Sequence, residues 1–76
     1  MEDIRKISVG PDYKGGAMHY IVGQGVFNDS HQVHKILRSP IDGAVQVFLI
    51  NKKEEVVLWK EFNSSMPISI EFNIDF

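Results

Sequence analysis

The stretch Ile68-Ser69-Ile70-Glu71-Phe72-Asn73-Ile74-Asp75-Phe76 alternates apolar and polar residues without a break. Side chains of an extended chain point to opposite faces with a period of two. Residues 68–76 therefore make a ribbon with Ile68, Ile70, Phe72, Ile74 and Phe76 on one side. Ser69, Glu71, Asn73 and Asp75 take the other. That is the pattern of a half-buried β-strand. Chain ends usually fray, whereas the apolar row of this one is patterned to cover a core.

Working back from that strand, turn-forming clusters divide the chain into short apolar segments. The clusters fall at residues 10–16, 28–31, 39–43, 51–55 and 63–67. Short segments at regular spacing suggest an all-β sandwich or barrel. Asn28-Asp29-Ser30 and Asn63-Ser64-Ser65 fit the glycosylation acceptor pattern, but that pattern has meaning only on a secreted chain. Both read as turns.

Residues 44–50 (AVQVFLI) and 56–62 (VVLWKEF) are rich in β-branched and aromatic residues and form a hairpin around the charged segment 51–55. Being apolar on nearly both faces, both strands are expected in the middle of a sheet. Ser39-Pro40-Ile41-Asp42-Gly43 is a strong turn: proline presets its first central position and glycine takes a left-handed one. It folds residues 35–38 back on residues 44–47. Residues 30–38 are read as a strand, which that turn favours. The alternative is one short helix, which Ser30 would cap and the Val33, Ile36, Leu37 spacing would support.

Residues 17–27 are long for one strand, and Gly23 and Gly25 mark a bend that carries the chain round a corner. Residues 4–9 carry only Ile4, Ile7 and Val9 as apolar members and read as a sheet edge, with Arg5 and Lys6 discouraging stray pairing. The fold expected is all-β: one small domain over residues 1–76, an antiparallel meander of five or six strands curling into a barrel or sandwich. The alternative is α+β with a helix at 30–38. Ile21, Val45, Val47, Leu49, Val57, Leu58, Ile70, Phe72 and Ile74 are expected to supply most of the core.

A 76-residue chain buries only roughly 60–65% of its unfolded surface, so its stability is marginal without an added constraint. It contains no cysteine, which excludes disulfides and thiolate zinc sites. A dense core or self-association remains. Eight basic residues against ten acidic ones give a formal charge of −2, unlike the basic excess of a dedicated nucleic-acid binder. No apolar run is long enough to cross a bilayer as a helix. The first residues, Met-Glu-Asp-Ile-Arg-Lys, contain no apolar signal region. A cytoplasmic location and a complete chain beginning at its initiating Met are the expectations.

Candidate chemistry is sparse. His19, His31 and His34 with Asp29 could suit a metal, but their spacing matches no ligand motif and polar turn residues explain them. Ser30 and His31 are neighbours whose side chains would point apart in an extended chain. Gly23-Gln24-Gly25 opens no helix, so it is no phosphate loop. A pocket of the usual ligand size, roughly 300 Å³ or more, is not expected. No catalytic residue, cofactor or metal is assigned, and the chain is read as a non-enzyme.

Binding is the remaining class. The leading expectation is a protein–protein interaction module, regulatory or inhibitory, taking another protein or its own copy through β-augmentation of the last strand. The runner-up is a single-stranded nucleic-acid binder on an OB-like or SH3-like barrel, with bases stacked on rings and cations along the backbone. Phe48 and Phe62 are assigned to the core. Tyr20 and Trp59, whose rings carry polar handles, are the candidate surface rings, Lys35 and Arg38 the candidate cations, and Phe72 the candidate contact on the last strand.

Overall fold

The computed structural model describes residues 4–10 and 15–73. Within them the chain forms seven strands and no helix: β1 (Ile4–Val9), β2 (Met18–Ile21), β3 (Gly25–Val26), β4 (His31–Arg38), β5 (Val45–Asn51), β6 (Val56–Phe62) and β7 (Ile68–Phe72). They lie in two antiparallel sheets, one in the order β2-β1-β7 and the other a meander β3-β4-β5-β6. The all-β expectation holds, with one strand more than the five or six read from the turns. The sheets do not close into a barrel. Ile74 and Phe76 lie outside the described residues.

The predicted turns form as their residues dictate. At residues 39–43 the Gly43 amide donates to the Ser39 carbonyl (3.0 Å) with Gly43 at φ 74, and Asp42 accepts from the Ala44 amide (3.0 Å). The Asp42 carboxyl is consequently held below its ordinary range, by the Ala44 amide first and the Ser39 hydroxyl second. Asn63 accepts from the Ser65 amide (3.0 Å), a side-chain mimic of a backbone turn. At the far end of β5, Asn51 accepts from both Lys53 and Glu55 amides at 2.9 Å.

The expected corner also forms. The Val22 amide is the last to pair with β1, donating to the Arg5 carbonyl (2.9 Å). One residue on, Gly23 donates to the Val33 carbonyl (2.8 Å), and the Gln24 carbonyl accepts from the Val33 amide (2.9 Å). The chain thus leaves one sheet and joins the other within two residues. Gly23 makes the change at φ 95, a conformation an L side chain resists.

Ile4, Ile7, Val9, Tyr20, Val33, Ile36, Val45, Val47 and Leu49 are the buried core, and β1 and β4 meet across it. Val45, Val47 and Leu49 show the clean alternation of β5. One expected edge and one expected central strand are exchanged. β1 is the middle strand of its sheet, and Ile7 is fully buried. β6, expected inside, ends its sheet, so Val57 (48% exposed) and Leu58 (50%) leave the predicted core. Ile21 and Phe72 leave it too: Ile21 pairs with Lys6 on the solvent face, and Phe72 ends its strand half-exposed. Ile70 packs against the core as expected.

Bulges explain the misleading spacing in β1 and β4. Each strand carries an extra residue: Arg5 against β7, and His34 against β5. An extra residue turns inward positions from i, i+2 to i, i+3. Ile4 with Ile7, and Val33 with Ile36, therefore both point inward at helix-like spacing on extended backbone.

Candidate functional site

In an antiparallel pair, residues directly opposite share a face. The inner face of the four-stranded sheet carries Val33, Ile36, Val45, Val47 and Leu49, so the register fixes what the outer face carries. One row is Leu37–Gln46–Glu61, the next Lys35–Phe48–Leu58, and the third Gln32–Ile50–Val56. Gln46 donates to Glu61 Oε2 (2.7 Å) at one end. Lys35 and Gln32 flank an apolar patch on the β4 side: Phe48 and Ile50 are half-buried, while Leu37 (45%), Val56 (44%) and Leu58 (50%) are exposed.

The three-stranded sheet has the opposite character. Its outer face carries Lys6 with Glu71 (3.6 Å), Ser8 with His19 (2.8 Å) and Ser69, with Ile21 as an apolar member. The polar residues dominate this face, whereas the four-stranded sheet carries a contiguous apolar patch on the β5–β6 side of its outer face.

The apolar face runs to an open edge. Among the described residues β6 pairs only with β5. The Asn51 amide donates to the Glu55 carbonyl (3.1 Å), so residues 51 and 55 form a hydrogen-bonded pair. Pairs alternate along an antiparallel ladder, which makes Leu49↔Val57 hydrogen-bonded and Ile50↔Val56 and Phe48↔Leu58 not. Val56 and Leu58 therefore turn their N–H and C=O groups outward, away from β5. Natural edges are usually blunted by charge, proline or a bulge. Here the bulge is at Trp59 and the charges at Lys60 and Glu61, leaving residues 56–58 unguarded.

A second cluster gathers on the inner side. Tyr20 reaches Trp59 edge-on (5.5 Å between centroids) and Phe62 (5.4 Å), and Trp59 meets Phe27 edge-on at 5.7 Å. Lys60 Nζ lies 5.4 Å over the Trp59 ring. Phe27 is 57% exposed and held, with Asn28 and Asp29, in left-handed backbone (φ 53, 57 and 66). Ser30 closes that turn, its hydroxyl donating to the Phe27 carbonyl (2.9 Å).

These placements sort the sequence candidates. Tyr20 is only 5% exposed, so its ring offers no face to a base; burial also pushes its phenol above the ordinary 10.0. Trp59 is half-buried beside it. Lys35 is on the opposite side of the sheet, its Nζ 5.1 Å over Phe48, which is on the outer face and not in the core as expected. Arg38 ends β4 opposite Val45, and Phe72 ends β7 opposite Ile4. Only Tyr20 and Trp59 come together. The unguarded β6 edge is hidden in the sequence because apolar residues on both faces suggest a central strand; the charged Lys60-Glu61 that follows is the available signal.

Two small expectations are corrected. Ser30 and His31 do meet (2.9 Å, Oγ to Nδ1), because Ser30 belongs to the turn and not to extended chain. An apolar groove of about 350 Å³ does exist, lined by Val9, Met18, Tyr20, Phe62, Met66 and Pro67 among others. Among the described residues no group of three or more His, Asp or Glu could hold a metal. No family model, curated protein or solved structure matches this chain.

Proposed function

We propose that this chain is a non-enzymatic, cytoplasmic protein-binding module that takes a partner strand on the β6 edge and covers its apolar outer face. The observation that carries the reading is the exposed run Val56, Val57 and Leu58 on a strand with one free side. Contiguous exposed apolar surface marks interaction sites, and a free edge supplies backbone pairing to an extended segment. The reading prefers β6 to the last strand as the docking edge, because Ile68 and Ile70 pack against the core whereas Val56 and Leu58 are exposed.

A photoreactive phenylalanine analogue at Leu58 is the test. It is expected to cross-link a polypeptide in cell extract, while the same group at Ser69, on the polar sheet, does not. Equal labelling from both positions, or none from Leu58, refutes the reading.

The alternative, single-stranded nucleic-acid binding, draws on Phe27, Trp59 and Lys60. It predicts an oligonucleotide shift at low salt that weakens steeply as salt rises. The edge-on meeting of those rings and the net charge of −2 favour the protein partner.

A further inference from the structure

We propose that the apolar groove lined by Met18 and Met66 binds a small, neutral aromatic molecule with one hydrogen-bond acceptor, to which the Tyr20 hydroxyl donates. The site does not depend on the β6 edge taking a partner.

The groove exists because the core runs out at one end of the three-stranded sheet. Tyr20 pairs with Ile7 and Met18 with Val9, and residues directly opposite share a face. Ile7, Val9 and Tyr20 are buried, so Met18 stands on the inner face with them. It is nonetheless 62% exposed. The groove it lines is walled otherwise by Phe62, the last residue of β6, and by Met66 and Pro67 of the turn that follows. The space of about 350 Å³ lies at the small end of the range for ligand sites, roughly 300–1,000 Å³.

One side-chain polar group is left there for a ligand. On the far wall the Met66 amide already donates to the Asn63 carbonyl (3.0 Å), and the Pro67 carbonyl accepts from the Gly10 amide (2.8 Å). Tyr20 is 5% exposed, and among the described residues its hydroxyl has no hydrogen-bond partner. No sealed-in side-chain oxygen among those residues lacks a partner, so this oxygen meets open space. The open space that Tyr20 lines is the groove.

The walls define the class of ligand. Among the described residues no charged side chain lines the groove. An ion would lose its hydration there without a counter-charge, so the ligand is neutral. Met18 and Met66 supply thioethers, which adapt in shape and favour the edges of aromatic rings. The single hydroxyl calls for a single acceptor.

Quinoline, uncharged at neutral pH and with one ring nitrogen, is the probe; naphthalene has the same shape without the acceptor. In chain carrying ¹³C-methyl methionine, quinoline is expected to shift the Met18 and Met66 signals saturably. The Leu58 methyls, labelled in a parallel sample, stay in place. Tyr20→Phe keeps the ring and is expected to raise the quinoline dissociation constant about fivefold, the loss of one hydrogen bond. Naphthalene binding is expected to be unchanged by it.

Quinoline that leaves Met18 and Met66 unshifted, or shifts Leu58 as strongly, overturns the site. Unchanged quinoline affinity in Tyr20→Phe, or naphthalene weakened as much as quinoline, overturns the hydroxyl as the donor and with it the acceptor assigned to the ligand.

Discussion

Tyr20 shows how a residue's chemistry can suggest one place and its neighbours fix another. A phenol favours a site with one end wet, but the Trp59 and Phe62 rings close over this one. Nothing in the sequence ties residue 20 to residues 59 and 62, so that burial is not legible there. It has a consequence in pH. Burial raises the phenol's pKa in the folded state, so folding favours the neutral form. Its contribution is intact below the unfolded value of 10.0 and is lost as pH climbs through the higher folded value. Denaturant titrations from pH 8 to 12 are expected to show stability falling above about pH 10. Tyr20→Phe, which keeps the ring, removes that part of the fall. The left-handed Phe27 is the other surprise at this scale: Asn28 and Asp29 tolerate that backbone, but for phenylalanine it costs about 1–2 kcal/mol, offset here by ring contacts to Trp59 and His31.

Among the elements, legibility tracks regularity. β5 alternates cleanly, and its inner row Val45, Val47 and Leu49 is the row the alternation predicts. The turn at 39–43 announces itself through proline, aspartate and glycine, and the strand at His31–Arg38 follows from it. β1 has the look of an edge because its bulge spaces Ile4 and Ile7 three apart and leaves only Val9 in step. A bulge lies in the partner strand's register as much as in the strand's own residues, so one segment alone does not disclose it. The corner at Gly23 is legible from glycine alone. A Cβ there meets nothing within 4 Å, so a substitution meets backbone strain and no clash. Gly23→Ala is expected to cost about 1–2 kcal/mol, measured as a lower urea midpoint with unchanged slope. A neutral result would mean that the corner is not built at φ 95.

For the whole molecule, the governing fact is asymmetry. Among the described residues a nine-residue core serves two sheets, one polar outside and one with an apolar patch. Composition sets the amount of apolar material, and the alternation discloses most of its inner half. Which strand ends a sheet depends on chain topology, and the outer face of β5–β6 becomes visible only once the register is known. On the protein-binding reading proposed above, a partner on the β6 edge would add burial to a chain of 76 residues, whose own core is small.

Residue-resolved amide hydrogen exchange at Val56, Val57 and Leu58 tests the open edge most directly. In dilute chain, shown by sedimentation to be monomeric, slow exchange is predicted at Val57, paired with Leu49, and fast exchange at Val56 and Leu58. Protection of Val56 and Leu58 in the dilute monomer, equal to that of Val57, would contradict it.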